Sequence, residues 1–234
     1  MHAKIQKGRV VMFGYGSPQD FLLTVIAILI CIVLHEVAHA FVALRCGDST
    51  ARDAGRLTLN PIAHFDLIGF LMLVFARIGY ARPVPVNPNN FRHRKRGMVA
   101  VALSGIIVNL LLAFLFTPLM LLSLRITNST AGYYLFKFLL IFIILNVNLA
   151  LFNVLPIYPL DGFEVVDTLA APTSKYVKFM RNYGNYVLMV LVGISVIVSS
   201  TGMPFYLDPL GTYLGYVGGW IRQGFTAFWQ LIVR

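Results

Sequence analysis

His35-Glu36-Val37-Ala38-His39 sets two imidazoles four residues apart with a carboxylate between them. On a helix, residues four apart lie on one face about one turn from each other, so both rings can grip one metal ion. Glu36 points to the flank of the pair, where it can take a proton from a metal-bound water. The stretch that carries the pattern, Phe21–Arg45, is apolar and about as long as the 20 residues a bilayer core requires. Water-consuming chemistry placed in lipid is a narrow class.

A catalytic metal site of this kind holds three protein ligands and keeps one position for water. The third ligand has to come from the few ionisable residues near apolar segments: His64, Asp66, His93, Asp161 and Glu164. Asp161 is the strongest candidate. It ends an otherwise neutral span, Pro156 and Pro159 break the helix just before it, and Gly162 permits a close approach of the chain. A carboxylate at the centre of a membrane costs roughly 2.5–3.5 kcal/mol, less toward the ends, unless something pairs with it, and a dication pairs with it well. Capping of the following helix is the plain alternative for Asp161. His64, between a short alternating stretch and an apolar one, is the second candidate ligand. Asn153, two turns ahead of Asp161, suits either a substrate carbonyl or its oxyanion, or a tie between helices. Asn109, Asn146 and Asn148 read as such ties, and Cys31, one turn before His35, as a small packing residue.

The elements that must position these groups follow from composition. The 234 residues are 58% hydrophobic and 12% charged, whereas soluble domains carry about 25% charged residues. The expected fold is an all-α polytopic membrane protein, a bundle of about four to six membrane segments. A short β element is expected at Arg56-Leu57-Thr58-Leu59-Asn60, between the metal-binding helix and the next spans. Spans are expected at Phe21–Arg45, Met98–Leu124, Tyr133–Leu155 and Tyr183–Ser200. Leu67–Tyr80 reads as a re-entrant half-span, Phe163–Asn182 as an interfacial helix, and the tail from Met203 as either interfacial or crossing. The chain reads as one membrane domain, with its core at 21–200 and a membrane-associated tail at 203–234. The run after Asp20 is too long for a signal-peptide core and is expected to stay in the mature protein.

A net charge of +10 would suit nucleic acid, but the basic residues flank apolar segments and no nucleic-acid-reading motif accompanies them. Arg82, Arg92, Arg94, Lys95 and Arg96 instead mark a cytoplasmic loop beside the bilayer. If Leu67–Tyr80 does not cross, the first span ends on that side and so does the third. His35, His39 and Asp161 then meet at similar depth in the cytoplasmic half. Two cysteines provide no disulfide framework.

The chain resembles the site-2 protease family of intramembrane zinc metalloproteases, in its small bacterial-type branch. His35-Glu36-Val37-Ala38-His39 and Asn153-x-x-Pro156-x-x-Pro159-Leu160-Asp161-Gly162 carry the resemblance. Gly55-Arg56-Leu57-Thr58-Leu59-Asn60-Pro61-x-x-His64 and Pro83-Val84-Pro85-Val86-Asn87-Pro88 extend it, so that it covers most of residues 20–200. It implies one Zn2+ per chain held by His35, His39 and Asp161, Glu36 as the base that activates water, and Asn153 as a substrate-orienting residue. It also implies a membrane-protein substrate with a single span, in a multi-pass protein of the cell membrane. In Ser104-Gly105-Ile106-Ile107-Val108-Asn109, isoleucine stands where the family often has proline, a change expected to touch helix shape and not the metal. The resemblance is to relatives without accessory domains, so no peptide-binding or nucleotide-sensing module is expected beside the core. A membrane metal-ion transporter using the same His/Asp site is the competing class, but it has no need of Glu36, and no inverted repeat is visible.

Overall fold

A computed structural model describes residues 17–64, 66 and 82–233. The first helix, α1 (Pro18–Cys46), starts where the Ser17 hydroxyl accepts the Asp20 N–H at 3.2 Å and Pro18 sets the first helical φ. It stops at Gly47, whose φ of 112° is open to glycine and strained for other residues. Two single turns follow, α2 (Thr50–Asp53) and α3 (Pro61–His64). After an extended approach and a short turn at Pro88–Asn90 comes α4 (Arg94–Ser123). It is succeeded by α5 (Thr130–Asn153), capped by the Ser129 hydroxyl on the Gly132 N–H at 3.0 Å. Then come α6 (Asp161–Leu169), α7 (Lys175–Thr201) and α8 (Pro209–Gln230), the last capped by Asp208 on the Gly211 N–H at 2.7 Å.

Among the described residues, four helical stretches are long and apolar enough to cross a membrane: Pro18–Cys46, Arg94–Ile126, Thr130–Asn153 and Lys175–Thr201. At 1.5 Å per residue the 29 residues of α1 exceed a hydrocarbon core of about 30 Å, so its ends reach the interfaces. Ile107, Leu111, Leu115, Leu119 and Leu122 recur about once per turn on the outside of α4 and are exposed, as are Leu22, Ile26 and Ile30 on α1. These stripes suit a lipid solvent. Inside, α4 packs against α1, α5 and α6. Ala27 and Cys31 meet Phe142 and Leu145, while Ala113 meets Ile143, Val147 and Leu151. The small residues let the helices approach where apolar burial against lipid gives little driving force.

The tail forms α8, laid on α4 and α5 through Leu210 and Leu214, with the Trp229 indole donating to the Phe114 carbonyl at 2.9 Å. Two expectations change. Phe163–Asn182 is not one interfacial helix: Pro172 lies in a break between α6 and α7, and α7 begins at Lys175, well before Tyr183. No strand exists among the described residues, and Arg56–Asn60 is irregular. Local bonds have taken the groups a ladder needs. The Arg56 N–H donates to the Ala51 carbonyl at 2.8 Å, the Asn60 N–H to the Thr58 hydroxyl at 3.2 Å, and His64 Nε2–H to the Thr58 carbonyl at 2.9 Å. The expected half-span at Leu67–Tyr80 lies outside the described residues.

Candidate metal centre

His35 and His39 face α4 from the C-terminal half of α1, both buried, with ring centroids 4.6 Å apart and planes at 84°. His39 lies seven residues, about 10 Å, before the end of α1. Asp161 opens α6 after the irregular 154–160 connection, which contains a cis Tyr158–Pro159 peptide. Its Oδ2 stands 3.1 Å from His35 Nε2 and 3.4 Å from His39 Nε2, and its side chain is 20% exposed. Three potential ligand atoms, one from each residue, lie within 4.8 Å of one another, and no other group of this kind occurs among the described residues. His64, Asp66, His93 and Glu164 stand outside it. His64 is buried against the Thr58 carbonyl. Glu164, one turn beyond Asp161, has its carboxyl pushed above the usual range by burial and by the nearby Asp167 and Asp161.

The donor geometry tests whether a metal fits. A backbone carbonyl can only accept, so the Val101 oxygen, 2.7 Å from His39 Nδ1, fixes the proton on Nδ1. His39 Nε2 is then a bare lone pair in neutral imidazole. It faces Asp161 Oδ2, a buried oxygen without a hydrogen-bond partner. Two electron-rich atoms held this close need positive charge between them. Tetrahedral zinc with bonds of about 2.1 Å separates neighbouring ligands by about 3.4 Å, which the two observed gaps approach. The site fits a tetrahedral dication.

Small residues make room for the cluster. A Cβ on Gly105 would fall 2.5 Å from His35 Cε1, so only glycine lets α4 lie flat on that imidazole. A Cβ on Gly162 would fall 2.2 Å from the Val154 carbonyl oxygen, so glycine also lets α6 turn back against the end of α5. Other residues of the 104–109 stretch do lie against the cluster. The isoleucine leaves α4 continuous, and the neighbouring glycine, Ser104 and Asn109 all border the histidines. Ser104 Oγ lies 3.3 Å from His39 Nδ1, and Asn109 Oδ1 lies 2.6 Å from His35 Nδ1. Sequence reasoning missed these contacts. The available signal was polar and small residues recurring on one face of an apolar span.

Glu36 lies on the other flank. Its Oε2 accepts the Val84 N–H at 3.2 Å, from the extended 82–87 segment. That segment is pinned twice. The buried Arg56 guanidinium donates to the carbonyls of Arg82 and Pro83, the second at 3.2 Å. The buried Asp48 carboxylate accepts the Asn87 N–H at 2.7 Å and the Asn90 amide at 2.8 Å. Burial works to raise the Asp48 pKa, but hydrogen bonds from Thr50, Asn87 and Asn90 outweigh it and hold the carboxyl below the usual range. The Asn153 amide donates to the Leu149 carbonyl of its own helix at 3.0 Å.

Comparison with known proteins agrees with this geometry. The model of peptidase family M50 matches residues 118–197, the stretch containing Asn153 and Asp161. A Bacillus subtilis (strain 168) protein named "Putative zinc metalloprotease YwhC" is 37% identical over 194 residues, covering 81% of this chain and 82% of its own. "Putative zinc metalloprotease Rip2" of Mycolicibacterium smegmatis is 29% identical over 180 residues, 74% of this chain and 67% of its own. Its namesake in Mycobacterium tuberculosis (strain ATCC 25618 / H37Rv) is 30% identical over 159 residues, 66% of this chain and 60% of its own. No solved structure matches. With the relative from Bacillus aligned over most of both chains, this multi-pass membrane protein belongs to peptidase family M50, the site-2 protease family.

Proposed function

We propose that this zinc metalloprotease hydrolyses peptide bonds in or beside the transmembrane segments of membrane proteins, with one zinc per chain held by His35, His39 and Asp161. The observation that carries the reading is the convergence of three ligand atoms beside Glu36 within a bundle whose outer faces are apolar. Zinc, when bound, acidifies a water to a pKa of about 7 and polarises the scissile carbonyl. The protein's own groups do the rest. Val84 holds Glu36 Oε2, which leaves Oε1 to take the proton from the attacking water and return it to the departing amine nitrogen. Asn153, released from Leu149, orients the substrate carbonyl. A helical substrate has its carbonyls engaged, so the stretch to be cut unwinds before it reaches the site.

The active site opens toward the cytoplasm in this reading. The basic residues Arg82, Arg92, Arg94, Lys95 and Arg96 border the same ends of α1 and α4 that hold the histidines, and such charge marks the cytoplasmic face. The test is reconstitution in lipid with zinc and a panel of single-span substrates. Glu36→Gln should keep its zinc and lose about 10²–10⁴-fold in cleavage rate. Undiminished cleavage by a zinc-loaded Glu36→Gln protein would defeat the assigned base. Zinc flux into liposomes without cleavage would favour a transporter.

A further inference from the structure

Asn109 and Asn146 are wholly buried and joined to each other, and they link α1, α4 and α5. Their orientation can be read from one end. Asn146 Nδ2 lies 2.9 Å from the Phe142 carbonyl oxygen and 3.0 Å from Cys31 Sγ. A carbonyl oxygen accepts and never donates, so the nitrogen of Asn146, not its oxygen, faces Phe142. Its oxygen is thereby turned toward α4, where it accepts the Asn109 amide nitrogen at 2.8 Å. Asn109 must then direct its own oxygen at His35 Nδ1, 2.6 Å away. An oxygen there requires a proton on Nδ1, so the Nε2 lone pair is the one turned toward Asp161.

We propose that Asn146 and Asn109 form a two-amide relay that sets the tautomer and ring orientation of His35 from the Phe142 backbone carbonyl on α5. Asn109 is the positioning residue in contact with His35, and Asn146 acts through it. Reversing either amide would set oxygen against oxygen or N–H against N–H in a place with no solvent to relieve the clash. His39 obtains the same tautomer more simply, from the Val101 carbonyl. The relay gives His35 a partner of equal constancy, although α4 offers it only a side chain that could otherwise turn over. This inference rests on the reading of His35 as a zinc ligand, and second-shell partners of this kind are worth 10–100-fold in metal affinity.

The test uses full-length protein in lipid nanodiscs with 15N-labelled histidine. Ring nitrogen NMR on the metal-stripped form reads the tautomer, and competitive titration then gives the affinity for zinc. His35 in the parent protein should show a protonated Nδ1 and a bare Nε2. Asn109→Leu and Asn146→Leu should lose that preference and bind zinc about 10–100-fold more weakly, with the larger loss at Asn109. Asn109→Asp keeps an acceptor against Nδ1 and should retain the His35 tautomer, while its second oxygen, set against Asn146 Oδ1, should still weaken zinc binding. His39 reports on the fold, since its tautomer depends on Val101 and should stay unchanged in all three variants. A His35 tautomer and a zinc affinity unmoved by Asn146→Leu, with His39 intact, overturn the relay. The expected tautomer pattern with no zinc uptake in any form would support the relay and defeat the metal reading instead.

Discussion

The two sides of the candidate metal site are built differently. On the histidine side, two imidazoles project from one continuous helix and are oriented by α4 in the buried centre of the bundle, through Asn109 and the Val101 carbonyl. On the carboxylate side, Asp161 begins a nine-residue helix after a proline-broken connection, and no hydrogen bond holds its Oδ2. Regular helices and their hydrogen bonds fix the two neutral candidate ligands, whereas the charged candidate is brought to them by the start of a short helix. The difference has a physical basis. A neutral imidazole can be buried with one hydrogen bond satisfied and its other nitrogen waiting. A buried carboxylate without its cation is costly, and a position at a helix start near the interface lowers that cost.

The comparison breaks most sharply at Asp161. Asp161→Asn removes the only anionic ligand, and zinc affinity should fall by more than the roughly 100-fold limit for second-shell changes. Calorimetric or competitive titration of the purified protein measures it, and near-normal affinity would remove Asp161 from the ligand set.

The two glycines probe each side separately. Gly105→Ala drives a methyl into the His35 ring, which is hemmed in by Asn109 and Asp161. Overpacking of this kind costs about 1–3 kcal/mol, and its consequence should be weakened zinc binding. Gly162→Ala meets backbone at Val154, which cannot swing aside, so α6 must shift as a unit and carry Asp161 with it. Zinc-loaded and metal-free thermal midpoints distinguish the two. Gly105→Ala should lower mainly the stabilisation added by zinc, because α4 can relax outward. Gly162→Ala should lower both.

Much of this division was legible in the sequence. Ligands four apart on one helix are a local pattern, and an apolar span that ends in Pro156, Pro159, Asp161 and Gly162 announces a broken end with a charge on it. The roles of Asn109 and Asn146 depend on how three helices are rotated against one another, which no local spacing encodes. The strand expected at Arg56–Asn60 failed for another reason. Alternation of apolar and polar residues says which way side chains point, but the Arg56 N–H, the Thr58 carbonyl and the Asn60 N–H each had a nearby partner, and these are backbone groups a neighbouring strand would have used. The α6–α7 break was marked by Pro172, whose signal the surrounding amphipathic pattern obscured.

The smallest effect on the metal is expected at His64. Its residue type and its place between two motif-bearing segments suit a ligand, yet it is buried beside α1 with Nε2–H given to the Thr58 carbonyl. His64→Ala should therefore leave zinc stoichiometry and affinity unchanged. Its cost belongs to the 56–64 loop, where the Thr58 carbonyl loses a buried donor, an effect of about 1–3 kcal/mol. That loss should appear as a lower thermal midpoint of equal size with and without zinc. A His64→Ala protein that gave up zinc while Asp161→Asn kept it would exchange their roles, and the carboxylate side of the comparison would move from the start of α6 to the end of α3.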